Sequence, residues 1–189
     1  AASKKHNIEI TTVWVGYPGP VVWNFIEGPT TIGLVPPAYR EGRVAALKAG
    51  ADFAAHLGAP SITTHAGFIP ETPSNPLYPP FLAALRDVVT HCGTLGLDFC
   101  FETGQETPVT LLRVIEDLGT DNLGINLDPA NLLMYGKANP VDALDVFGSY
   151  IVGVHAKDGD YPTNGRELGP EKRLGEGRVN FPTLVPKLK

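Results

Sequence analysis

Sulfur is scarce in this chain: its 189 residues include two cysteines and one methionine. Cys92 falls in a helical pattern and Cys100 in a strand pattern. One such pair is neither a disulfide framework nor a zinc knuckle, and it reads as two reduced packing cysteines of a cytoplasmic protein. Long apolar runs are missing too. No stretch approaches the roughly 18 residues of a membrane-spanning helix, and Ala1 to His6 is short and polar, without the apolar centre of a signal peptide. Positive charge is not in excess, with 15 Lys and Arg against 20 Asp and Glu and a formal net charge of −5. Affinity for a phosphate backbone comes from clustered Lys and Arg, so no nucleic-acid partner is expected. Neither G-x-G-x-x-G nor G-x-x-x-x-G-K-[ST] occurs, which weakens the case for a nucleotide-binding open sheet.

What is present is ordinary for a soluble globular protein. Hydrophobic residues make up 43% and charged residues 19%, enough to bury one core, and residues 1–189 read as a single domain. Short β-rich runs alternate with helical periodicity. Strands are predicted at 8–15, 61–65, 97–101, 123–127 and 150–154. Helical stripes run through Val44, Leu47, Ala51, Ala54 and Leu57 to a stop at Gly58, and through Phe81, Leu85, Val88, Cys92 and Leu95 to Gly96. Thr107-Pro108 and Asn139-Pro140 each look like a helix cap followed by proline at the first helical position. The first of these helices closes at Gly119, the second near Gly148, and a last one starts at Phe181. Long loops are expected at 16–37, 67–80 and 157–178. Strand followed by helix, repeated, means an α/β protein with a parallel sheet. The nearly all-apolar runs suit strands buried on both faces, in either an open doubly wound sheet or a barrel.

Polar residues follow the apolar runs directly: His65, Glu102, Asp128 and His155 each come at a strand end. In a parallel barrel such positions converge on one site. Glu102, Asp128 and His155 follow one another at intervals of 26 and 27 residues, about one strand–helix unit each. Two carboxylates brought together in a cleft repel each other, and burial raises the cost, unless a cation joins them with the imidazole. Such a donor set suits Mn²⁺, Mg²⁺ or Co²⁺, with Zn²⁺ also admissible. His65 is a candidate for substrate contact, and Trp14, Trp23 and Phe68 are candidates for apolar walls.

Five segments together resemble the sugar phosphate isomerases and epimerases of the xylose-isomerase-like superfamily. They are Thr64-His-Ala-Gly67, Phe101-Glu-Thr-Gly-Gln-Glu106, Asn126-Leu-Asp-Pro-Ala-Asn131, Val154-His-Ala-Lys-Asp-Gly159 and Leu174-Gly-Glu-Gly177. The resemblance implies a (β/α)8 TIM barrel, of which this chain would lack the first and eighth strands, because a full barrel needs about 250 residues. It implies Glu102, Asp128 and His155 as metal ligands and a second, distal Glu that would fall beyond position 189. Glu176 lies in a turn and is expected to serve structure or substrate contact rather than ligation. Asn131 stands where many sugar epimerases carry a substrate-contacting His. It can exchange hydrogen bonds but no proton near neutral pH. Lys157 is placed to meet a hydroxyl or phosphate oxygen.

The reaction implied is proton removal beside a carbonyl, with a metal-stabilised ene-diolate and Glu102 as ligand and base. A metal-dependent dehydratase or hydroxy-keto-acid isomerase would use the same chemistry, and a non-catalytic sugar-binding fragment would need none of it. The apurinic endonuclease branch of the superfamily fits poorly. Asn131 replaces one expected His, and Gly169-Pro-Glu171 stands where an Asp-x-His is required. The expected partner is a small-molecule sugar, and a homo-oligomer stays open.

Overall fold

The structure, a computed structural model, describes residues 5–188; the first four residues of the polar N-terminal stretch and Lys189 lie outside them. Five strands, β1 (Val13–Trp14), β2 (Ser61–Thr64), β3 (Asp98–Glu102), β4 (Leu123–Leu127) and β5 (Ile151–Val154), form one parallel sheet in sequential order. A doubly wound sheet reverses its strand order partway. An unbroken order keeps every crossover on the same side and makes an arc of a barrel. A barrel lacking only its first and eighth strands would present six strands. Among the described residues the sheet has five, the same five runs that the sequence marks as strands, and the loop at 157–178 carries only a small antiparallel pair, β6 (Asp158–Gly159) and β7 (Glu171–Lys172).

The helices are α1 (Gly28–Thr31), α2 (Arg40–Leu57), α3 (Tyr78–Thr94), α4 (Pro108–Leu118), α5 (Pro129–Met134), α6 (Pro140–Phe147) and α7 (Phe181–Lys187). Thr107 Oγ1 accepts the Thr110 N–H at the start of α4, and Asn139 Oδ1 accepts the Val141 N–H at the start of α6, as the cap-plus-proline signals implied. Four expectations need correction. The first strand spans only Val13–Trp14, because it pairs on one side alone and Ile8 is left exposed. Helix α3 starts at Tyr78, and the prolines of its first turn, Pro79 and Pro80, fall inside the loop expected at 67–80. Helix α1 lies within the long loop at 16–37. Helix α5 was not foreseen, although Asp128-Pro129 repeats the cap-plus-proline signal: Asp128 Oδ1 accepts the Asn131 N–H at 2.9 Å.

The core lies between the sheet and its helices. Ile62, Phe99, Phe101, Ile125 and Leu127 are fully buried there together with Leu47, Phe81, Leu85 and Leu111. The opposite face is not the apolar surface that the strand runs suggested. Ser61, Thr63, Cys100 and Asn126 alternate with the core residues and line a cavity of about 220 Å³. Both cysteines are buried and unpaired, and burial pushes the Cys92 thiol up to about 12. No helix among the described residues is long and apolar enough to cross a membrane.

A buried cation fixes the long loop. The fully buried Arg43 on α2 donates to the carbonyls of Pro18 (3.2 Å), Pro20 (2.9 Å), Thr31 (2.8 Å) and Gly33 (2.6 Å). The Tyr17 and Tyr39 rings face its guanidinium at 4.5 and 4.8 Å. Five planar donors suit four carbonyls better than a lysine ammonium would. Residues 18–33, Trp23 among them, are thereby tied to α2.

Candidate metal and substrate site

Glu102 ends β3, Asp128 follows β4 and His155 follows β5, so the parallel register delivers all three to one rim of the sheet. One ligand atom from each lies within 4.8 Å of the others. His155 Nδ1 stands 3.1 Å from Glu102 Oε1 and 3.3 Å from Asp128 Oδ2. The other Glu102 oxygen accepts a short hydrogen bond from Asn126 Nδ2. Gly153 makes room for that amide, since a Cβ there would lie 2.6 Å from Asn126 Oδ1.

Both carboxylates are almost out of solvent, Glu102 at 3% exposure and Asp128 at 0%. Burial pushes both above the usual carboxylate range. Asn126 and His155 oppose the rise at Glu102; Lys157, Asn131 and His155 oppose it at Asp128. Asp128 Oδ2 completes no hydrogen bond, although His155 and, at 3.4 Å, Lys157 Nζ stand beside it. A buried carboxylate oxygen left in that state is costly unless a further partner arrives. Two carboxylates and an imidazole, with one oxygen unclaimed, fit a divalent cation.

The cluster floors a cavity of about 260 Å³ that is also lined by Trp14, Trp23, His65, Asn131 and Lys157. The structure therefore brings Glu102, Asp128, His155, His65, Asn131, Lys157, Trp14 and Trp23 to one place. His65 is buried between the two tryptophans, with ring centroids 6.2 Å from Trp14 and 5.0 Å from Trp23 in edge contacts. Burial, helped by the Lys157 ammonium, pushes the His65 imidazole down to about 3, so the ring is neutral at ordinary pH. Lys157 Nζ donates to Asn131 Oδ1 at 2.7 Å, and Asn131 Nδ2 donates to the Thr103 carbonyl at 3.0 Å. Phe68 is not a wall of this cavity; its ring packs edge-on to Tyr135, 5.8 Å between centroids. Glu176 lies outside the cluster, exposed and 3.8 Å from Arg173.

Gln105, Met134, Tyr135 and Leu168 also line the cavity and were not anticipated. Gln105 sits in a turn just after a strand-end acid, inside the segment Phe101-Glu-Thr-Gly-Gln-Glu106 that carries the resemblance. Tyr135 and Met134 come with the unforeseen helix α5.

Comparison with known proteins places these observations in a family. The model for the xylose isomerase-like TIM barrel matches residues 1–189. A xylose isomerase domain protein from Planctomyces limnophilus is 36% identical, with a TM-score of 0.94 over 99% of this chain and 68% of that one. A D-tagatose 3-epimerase-like protein, 23% identical, shares the fold with a TM-score of 0.73 over the same proportions. An uncharacterised protein of Methanocaldococcus jannaschii is 28% identical over 161 residues, 79% of this chain and 53% of its own length. The chain thus spans about half the length of that curated relative.

Proposed function

The chain belongs to the xylose isomerase-like TIM-barrel family, and on that premise we propose that it carries the catalytic site of a divalent-metal-dependent isomerase or epimerase acting on a sugar. One observation carries the reading: Glu102, Asp128 and His155 meet at the floor of a tryptophan-walled cavity, with an Asp128 oxygen unpartnered. The three residues would hold Mn²⁺, Mg²⁺ or Co²⁺. When bound, the cation supplies Lewis-acid stabilisation for negative charge on the sugar's oxygens.

The protein's own groups have separate tasks. Glu102 accepts the proton from the carbon next to the carbonyl. Burial raises its affinity for that proton, while Asn126 and His155 hold its two oxygens in place. Trp14 and Trp23 offer apolar edges to the sugar's C–H groups and narrow the entry for water. Neutral His65, Asn131 and Lys157 present hydrogen-bonding groups to the hydroxyls. The 28% identical relative extends well beyond this chain's span.

The test is solvent exchange. With Mn²⁺ saturating and a ketose in D₂O, wild type should place deuterium at the carbon beside the carbonyl. Glu102→Gln should slow that exchange by a factor of about 100 or more, the lower range for losing a positioned base. Its metal affinity should fall less than its exchange rate. Exchange at the wild-type rate in Glu102→Gln would remove Glu102 as the base. Sugar binding without any exchange in wild type would turn the reading into a binding protein.

A further inference from the structure

Six buried side-chain atoms among the described residues lack a hydrogen-bond partner, and four of them belong to residues lining the candidate cavity: His65 Nδ1, Asp128 Oδ2, and both amide atoms of Gln105. Gln105 is the odd member. Asp128 has a cation to await and His65 has two tryptophans to rest on, but Gln105 is 1% exposed with its whole amide unmatched. The turn that carries it does not need that amide. Thr103 Oγ1 donates to the Asp128 carbonyl at 2.9 Å and accepts the Asp128 N–H at 2.8 Å. Asn131 Nδ2 covers the Thr103 carbonyl, and Glu106 Oε1 accepts the Gly104 N–H at 3.3 Å. The backbone just before Gln105 is thus tied down by other residues. Tyr135 lies beside it, its phenol pushed up to about 12 by burial and eased down a little by a weak hydrogen bond with the amide, one whose geometry falls short of satisfying either amide atom.

An unmatched amide in a rigid turn is a poor structural element and a good recognition element. Its N–H donates and its carbonyl accepts, side by side, which is what one hydroxyl group requires of a partner. Resting on the sugar-isomerase reading, we propose that Gln105 is a specificity-determining residue whose amide grips one hydroxyl of the sugar, so that the site selects a polyhydroxylated substrate and discriminates against the analogue deoxygenated at that carbon. The basis for discrimination is general: a site built to bond a hydroxyl loses more with the analogue lacking it than an apolar pocket does, because its buried polar groups stay unpaired.

A structural residue and a recognition residue respond oppositely to an apolar replacement. Gln105→Leu and Gln105→Met remove two unmatched buried atoms at similar volume. In the ligand-free protein both should raise the melting temperature by about 2–4 °C. The same variants, loaded with Mn²⁺ and titrated calorimetrically with D-tagatose, D-psicose, D-fructose and L-ribulose, should bind the ketose preferred by wild type about tenfold more weakly. One monodeoxy analogue of that ketose should bind wild type and variants alike, which identifies the gripped hydroxyl. Lower melting temperatures in both variants would show that the amide supports the fold and overturn the inference. Unchanged ketose affinity in the more stable variants would overturn it as well. Wild type that binds Mn²⁺ but none of the four ketoses would instead sink the ketose reading itself, and this inference with it.

Discussion

Asp128 and Asp158 are equally buried, at 0% and 1% exposure, and have opposite surroundings. Asp158 accepts four backbone N–H groups: Gly159 at 2.9 Å and Val179 at 3.1 Å on one oxygen, Gly175 at 2.9 Å and Gly177 at 3.0 Å on the other. Burial alone would raise its carboxyl, but the four amides outweigh that and hold it below the usual range. Asp128 receives one backbone N–H, and burial leaves its carboxyl above the usual range. The first aspartate is complete within the chain. The second is short of a partner. The same side chain at the same depth is a structural element or a ligand site according to how many donors the backbone aims at it. The contrast also accounts for the Gly-Glu-Gly turn. Its two glycine amides bind Asp158, and a Cβ at Gly177 would fall 2.2 Å from Asp158 Oδ1, while the Glu176 side chain points to solvent.

Removing the charge from each aspartate tests the contrast most directly. Asp158→Asn replaces an acceptor oxygen by an NH₂ that faces N–H donors, leaving buried amides unmatched. It should cost about 3 kcal/mol of folding stability, read by urea denaturation. A loss below about 1 kcal/mol would mean that the four amides find water instead. Asp128→Asn should do the reverse. Its Oδ1 keeps the cap on α5 and only the unpartnered oxygen is replaced, so metal-free stability should stay within about 1 kcal/mol of wild type. Mn²⁺ affinity by calorimetry should drop at least about tenfold, as expected when a ligand with a formal charge is lost. Unchanged Mn²⁺ affinity would break the assignment of Asp128 as a ligand.

A pH profile extends the comparison to Glu106, which falls on the Asp128 side. It is fully buried, has one oxygen unpartnered, and is pushed up to about 7 by burial. A carboxyl raised in the folded state holds its proton where the unfolded chain has released it. Its contribution is therefore present at low pH and is lost as pH rises from the unfolded value, about 4.3, toward 7. Stability should fall across that window with a slope approaching about 1.4 kcal/mol per pH unit from this group. Glu106→Gln should flatten the profile between pH 5 and 7. A profile identical to wild type would show that Glu106 ionises at its ordinary value and is not enclosed.

Much of this arrangement was legible in the chain before folding was considered. Apolar runs followed at once by Glu102, Asp128 and His155 announced strand ends, and equal intervals announced adjacent ones. The elements that escaped were those whose signal is local but brief. Helix α5 has six residues, too few for an apolar period to register, although Asp128-Pro129 carried its cap. The shortening of the first strand could not be read either, because strand length depends on the partner alongside and Val13–Trp14 finds one on a single side. Gln105 was invisible because an unmatched amide is defined by what its neighbours do not do.

The sequence by itself determined the alternation of strands and helices, the parallel sense of the sheet and the gathering of two carboxylates and an imidazole at one rim. These follow from periodicity, caps and spacing, which are properties of neighbouring residues along the chain. Only the tertiary structure decided which buried polar groups are satisfied. Asp158 takes three of its four donors from residues 17 to 21 positions onward, in a turn that must first fold back over it. Arg43 meets carbonyls 10 to 25 positions earlier. Asp128 Oδ2, His65 Nδ1 and the Gln105 amide complete no such hydrogen bond, although His155 and Lys157 stand beside the aspartate. Hydrogen bonds act over about 3 Å in space whatever the separation in sequence, so the difference between a buried group that holds the fold and one that awaits a ligand is fixed by packing.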